Sequence, residues 1–247
     1  MSESPVVIVT GIEHSGTTLL AELLLQHPGL AGGFEGGLLL ASEPARFPEI
    51  DPWYEWMMDS VEAGYWGIPE SLIHRVCQAD NWRAAYEAIR ETSPLFRGRT
   101  SRLLDKTPAY QACLPRVMAR APAGTPCLVI EKTPVDLWRS FRKRTTFADF
   151  EERRRHYHQS WREAQETCGN QLLRIRYETL CQDLEGELER AFRFIGLESP
   201  AAFARMADSV RDRFEHDRAL PLPQEELDRV KRLADELRID SGFSRQA

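Results

Sequence analysis

Three short segments carry residue types and spacings that could hold an anion. The first is Gly11-Ile12-Glu13-His14-Ser15-Gly16-Thr17-Thr18. Glycines at 11 and 16 have the spacing of a loop that turns successive backbone N–H groups, and a helix N-terminus, toward a phosphate. The same spacing also suits a tight βα turn with no ligand. A nucleotide triphosphatase needs Lys where this chain has Thr17, and no later strand ends in a clear Walker-B aspartate. The second segment is Lys132-Thr133-Pro134-Val135-Asp136-Leu137-Trp138-Arg139-Ser140. A cation at a strand end and a hydroxyl two helical turns later could both contact one anion. The third is Leu103-Leu104-Asp105-Lys106-Thr107-Pro108, which again places a Lys before a Pro-started helix. The chain has only four lysines, and two of them sit at such ends.

These segments need elements to position them. The apolar, β-branched run Pro5 to Thr10 reads as a strand buried on both faces of a parallel sheet. Leu19, Leu20, Leu23 and Leu24 then recur at helical spacing over Thr17 to Gln26, and His27-Pro28-Gly29 stops that helix. Further strands are expected at Leu30 to Phe34, Arg102 to Asp105, Pro126 to Glu131 and Leu172 to Arg176. Helices are expected at Ser71 to Thr92, Pro108 to Arg120, Pro134 to Arg144, Phe150 to Cys168, Leu184 to Ile195 and Gln224 to Leu237. Residues 44–70, rich in Pro, Trp and Tyr, read as an irregular region covering a site. This alternation predicts a three-layer α/β/α fold with a mainly parallel sheet, like that of P-loop nucleotide-binding proteins. The expected organisation is one domain over 1–247, with a loop-rich, partly helical insertion at about 35–100.

Charge narrows the partners. The net charge is −6, from 32 basic and 38 acidic residues, which argues against a nucleic-acid binder. The basic residues are concentrated in 97–176, where 17 oppose 8 acidic ones. That local excess could face a small anionic ligand or form a solvated surface. Arg142-Lys143-Arg144 and Arg153-Arg154-Arg155 read as solvated faces, the first close enough to steer a ligand. Five cysteines without a CxxC pair predict reduced thiols, hence a cytoplasmic protein. No apolar run is long enough for a membrane span, the first one is too short for a signal peptide, and no His/Cys/Asp cluster suggests a metal site.

In combination these motifs resemble the sulfotransferases that use 3′-phosphoadenosine 5′-phosphosulfate (PAPS), over most of the chain and most strongly at 6–40, 102–110, 127–144 and 172–197. Ser15-Gly16-Thr17-Thr18 is similar to the family's 5′-phosphosulfate loop. Lys132-x-Pro-x-Asp-x-x-x-Ser140 is similar to its 3′-phosphate motif. Tyr177-Glu178-Thr179-Leu180 and Phe194-Ile195-Gly196-Leu197 resemble two later motifs. The nearest pattern is the branch of bacterial enzymes and tyrosylprotein sulfotransferases, where His-Pro follows the first helix, as His27-Pro28 does here. Two positions depart from it: His14 and Lys132 both stand where the family usually has Arg, or Arg or Lys at the first. The Lys132 swap keeps the charge and loses the bidentate fork.

The resemblance implies in-line transfer of a sulfuryl group from PAPS to a hydroxyl acceptor, without a metal. It implies Glu35 as general base, with Lys106 and His14 as catalytic partners at the leaving oxygen. A phosphosulfate nearby would favour the charged form of His14. The cofactor-binding set is His14, Ser15, Gly16, Thr17, Thr18, Lys132, Ser140 and Tyr177. Two alternatives stand beside this reading: a nucleotide kinase-like phosphotransferase and a catalytically inactive nucleotide-binding protein of the same fold. The residues themselves leave other roles open. Lys106 could instead form an ion pair with Asp105 or Asp136. The aromatics Trp53, Tyr54, Trp56, Tyr65 and Trp66 could line an acceptor pocket or form a satellite core.

Overall fold

A computed structural model describes residues 4–200, 210 and 221–237. Among the described residues five strands pair in parallel: β1 (Val6–Gly11), β2 (Leu30–Ala31), β3 (Arg102–Lys106), β4 (Cys127–Glu131) and β5 (Leu172–Arg176). They lie in the order β2-β3-β1-β4-β5. The described helices are α1 (Thr17–Leu24), α2 (Trp53–Trp56), α3 (Glu70–Cys77), α4 (Trp82–Thr92), α5 (Leu114–Arg120), α6 (Pro134–Phe141), α7 (Phe147–Cys168), α8 (Tyr177–Gln182), α9 (Leu184–Ile195) and α10 (Gln224–Glu236). None of them is long and apolar enough to cross a membrane.

The period-2 alternation of side chains divides the core into two layers. Val7, Val9, Leu104, Leu128 and Ile130 face the leucines of α1 together with α8 and α9. Val6, Ile8, Leu103, Cys127 and Val129 face the opposite layer, built from segment 38–96, α5 and α7. Helices on both faces explain why these strands show no polar alternation. A smaller cluster joins Ile12, α6, the start of α7 and α10 beyond the sheet's carboxyl edge.

Several details differ from the sequence reading. The strand expected over Leu30 to Phe34 is only Leu30–Ala31, and the short helix α8 directly after β5 was not expected. The helix expected over 71–92 is two helices, because Asn81 accepts from the Ala84 N–H and starts a new one. The helix expected from Pro108 begins as a 3₁₀ segment, Pro108–Cys113, before α5. Within 44–70 the chain forms short helical turns, including Pro44–Glu49 and α2.

Leu20 of α1 is fully buried between helix and sheet. Leu20→Ala is expected to cost about 2–5 kcal/mol, read as a lower urea midpoint with an unchanged slope.

Candidate functional site

The sheet register assembles the three anion-binding segments. Val9 pairs with Lys106 and Gly11 with Ile130, so β1 carries the glycine loop between the ends of β3 and β4. The order β2-β3-β1-β4-β5 puts the chain's change of direction at β1, and ligands of parallel sheets bind outside the carboxyl ends at such a point.

The loop is tied down from inside. Ser15 is buried; its N–H donates to the Ile12 carbonyl (2.9 Å) and its hydroxyl to the Ile130 carbonyl (3.0 Å). Ser15 therefore spends both donors on shaping the loop. His14 at φ 64° and Gly16 at φ 105° make the left-handed turns that lead into α1. A Cβ at Gly16 would lie 2.5 Å from the Tyr177 ring, so only Gly fits there. No side chain caps α1. The first-turn N–H groups at Thr17 and Thr18 thus lack a side-chain partner, which is the arrangement that receives anions.

His14 is exposed, with its ring edge-on to Phe141 at 5.1 Å. Its Nε2 lies 3.2 Å from the Arg144 guanidinium. Burial, then Arg144, hold its pKa below the ordinary 6.5, while Glu13 opposes them. Arg144, which the sequence reading placed on a solvated face close enough to steer a ligand, is exposed and sets a permanent cation beside the loop. Its distance of 130 residues from His14 concealed this.

On the β4 side, Lys132 Nζ donates to Ser140 Oγ at 3.4 Å and lies 4.4 Å from the centroid of the Tyr177 ring. The Ser140 hydroxyl donates to the Asp136 carbonyl at 3.2 Å. Thr133 caps α6 by accepting from the Asp136 N–H. Glu178 accepts from the Thr133 N–H at 2.8 Å, so the Tyr-Glu motif latches the Lys132 motif. Burial raises the Glu178 pKa. Tyr177 is buried and touches both Gly16 and Lys132.

On the β3 side, Lys106 Nζ stands 3.4 Å from Glu35 Oε1, with both side chains largely withdrawn from water. Lys106 also lies 4.4 Å from the centroid of the Phe34 ring. Phe34 is in turn edge-on to Trp56 and Tyr65. Burial lowers the Lys106 pKa from the usual 10.5, and Glu35 raises it back. Asp105 and Asp136 are not the partner in this pair. Asp105 points to the opposite face of the sheet, and Asp136 pairs with Arg139.

Asp105 is what holds Glu35 in place. It is fully buried and accepts from the hydroxyls of Tyr86 (2.8 Å), Tyr110 (2.7 Å) and Thr107 (2.8 Å), and from the Gly36 N–H. Thr107 Oγ1 accepts from the Gly37 N–H at 3.0 Å, and Tyr110 Oη from the Leu39 N–H at 3.1 Å. A Cβ at Gly36 would sit 2.8 Å from Asp105 Oδ1. Burial raises the Asp105 pKa and these donors oppose the rise. The sequence reading missed this node. Its signal was an acidic residue in a strand that is otherwise buried.

Among the aromatics, Trp66 is fully buried and its Nε1–H donates to the Phe34 carbonyl, so it belongs to the core. Trp56 and Tyr65 stand with Phe34 beside Glu35. Of the other arginines expected on solvated faces, Arg154 is instead buried.

A family model described as "Sulfotransferase family" matches residues 5–201. No curated protein matches the chain. Among solved structures, the sulfotransferase domain of the Synechococcus PCC 7002 olefin synthase is 17% identical, with 90% of each chain covered and a TM-score of 0.59. The sulfotransferase domain of the curacin biosynthetic pathway is also 17% identical, with 96% of this chain and 98% of that one covered at 0.59. A sulfotransferase of Mycobacterium tuberculosis H37Rv is 17% identical, with 98% and 78% covered at 0.50. These likenesses show a shared fold.

Because every partner of Asp105 donates, an acceptor-only carboxylate fits and an amide does not. Asp105→Asn is expected to destabilise the protein by about 1–3 kcal/mol, read by denaturant titration.

Proposed function

The chain belongs to the sulfotransferase family, and we propose that it moves a sulfuryl group from PAPS to a hydroxyl acceptor with Glu35 as general base. The observation that carries this reading is the sheltered Glu35–Lys106 pair at the end of the strand beside the glycine loop. Bound PAPS supplies an activated sulfuryl group on a nucleotide leaving group. The residues present suit it: the start of α1 is uncapped, Gly16 leaves room that a Cβ would fill, and Lys132 and Ser140 form a cation–hydroxyl pair.

In this reading Thr17 and Thr18 meet the 5′ end through backbone N–H groups, and Ser15 keeps the loop in shape for them. Lys132 and Ser140 hold the 3′-phosphate, and Tyr177 packs beneath them. Glu35 takes the proton from the acceptor hydroxyl. Lys106 does two things. It orients Glu35, and it stabilises negative charge on the bridging oxygen as the bond to sulfur breaks. Glu35 in turn keeps Lys106 charged against the cost of burial. Arg144 supplies the fixed cation beside the loop, and the His14 ring next to it, held toward its neutral form by burial and by Arg144, gains a proton only when the anion is bound. Phe34, Trp56 and Tyr65, in the segment at about 35–100 and just before it, form the acceptor side and favour an acceptor with apolar surface.

Glu35→Gln is expected to lower turnover by about 10²–10⁴-fold while calorimetry shows unchanged affinity for 3′-phosphoadenosine 5′-phosphate. Wild-type turnover in that variant would remove the base assignment. ATP bound as tightly as 3′-phosphoadenosine 5′-phosphate would favour a phosphotransferase instead.

Lys106 must be protonated to work, and burial places its pKa below 10.5. The rate should therefore fall on the alkaline side at a lower pH than an exposed lysine would give. Loss of the Glu35 charge removes the main raising influence. The Lys106 titration followed by NMR should lie lower in Glu35→Gln than in the wild type.

A further inference from the structure

A half-open cavity of about 800 Å³ lies between the ends of β4 and β5 and α6, α7, α8 and α10, with Lys132 in its wall. Among the described residues six cationic and four acidic side chains line it. Its four arginines come from three elements, Arg139 from α6, Arg154 from α7, and Arg174 and Arg176 from β5, and three of them, Arg139, Arg154 and Arg174, share one feature. The Nε of each is buried without a hydrogen-bond partner. Arg154 is only 4% exposed and makes no hydrogen bond or ion pair with a described residue. An Nε–H buried without a hydrogen-bond partner is costly, and the terminal nitrogens of the same guanidinium are left for a ligand in the cavity.

Three of the four acidic residues, all but Asp235 of α10, are already engaged. Asp136 pairs with Arg139 and accepts from the Thr133 hydroxyl at 3.0 Å. Glu131 pairs with Arg174 and reaches Arg154 only as a longer-range attraction. Glu178 is committed to the Thr133 N–H. Positive charge on the α7 wall is therefore left under-compensated. Guanidinium forks match the oxygens of a tetrahedral oxyanion. The volume leaves room for an organic body. No aromatic ring is among the described lining residues, so the cavity offers no aromatic face for stacking a purine.

We propose that this cavity is a second oxyanion site, binding the phosphate or sulfate group of a small polar molecule apart from the nucleotide loop. Arg154 is its central ligand. The same chemistry could come from the 3′-phosphate of the nucleotide itself, and competition separates the two sources.

The test is calorimetry with inorganic sulfate and with inorganic phosphate, on protein alone and on protein saturated with 3′-phosphoadenosine 5′-phosphate. Saturable binding is expected in both states. Arg154→Met should weaken it by more than about tenfold and leave nucleotide affinity unchanged. Circular dichroism checks the fold, and the more exposed Arg174→Met repeats the test should Arg154→Met fail to fold. Three results would overturn the proposal: no saturable binding to wild-type protein, competitive loss of binding under nucleotide saturation, or unchanged affinity in the folded arginine variant. The arm without nucleotide stands even if the nucleotide itself does not bind.

Discussion

A single buried carboxylate organises the Glu35 side of this site. Asp105 lies at the end of β3, fully removed from water, with four donors converging on it. A charge in such a place is tolerated only when hydrogen bonds replace its hydration. Those donors come from α4, from the 3₁₀ segment after β3 and from the loop after β2. Satisfying one group therefore pins three pieces of chain that are far apart in sequence. Gly36 must approach closely for its N–H to reach the carboxylate, and that approach sets the residue before it. Glu35 consequently stands on the other side of the β3 end, within reach of Lys106.

Alternation along a strand makes this division of labour possible. Asp105 and Lys106 are adjacent, yet they point to opposite faces. The first braces the layer built on α4 and α5. The second reaches the α1 layer, where the glycine loop begins. An ammonium so placed loses hydration, which lowers its pKa, and Glu35 restores part of what burial removes. The pair is a mutual arrangement: each side chain orients the other, and Glu35 keeps Lys106 charged.

The same reasoning applies to the charge distribution. A chain with net charge −6 still concentrates cations where strand ends and helix starts meet. Lys106, Lys132 and Arg144 reach the mouth of one fold from different elements. At short range their field is set by local geometry and low dielectric, and the total charge matters little. Arg154 shows the converse. It sits in a run of three arginines on a polar helix, where exposure is the natural expectation. The helix face it occupies turns toward the ends of β4 and β5, and that face is a property of packing.

The parallel sheet, the glycine loop, the two lysines at strand ends and the Tyr-Glu motif were legible in the sequence because each is a local pattern. Period, turn chemistry and spacing act within about ten residues, so apolar runs and Gly or Pro stops are enough to read them. The break between α3 and α4 was also local, but the Asn81 cap is a weak signal inside a strong helical period. The tertiary structure alone decided that Lys106 pairs with Glu35, that Arg144 meets His14, that Ser15 spends its donors inside the loop and that Arg154 is buried. These outcomes depend on strand order, register and the facing of helices. Such long-range contacts join groups as far as 130 residues apart, and no pattern along the chain encodes that distance.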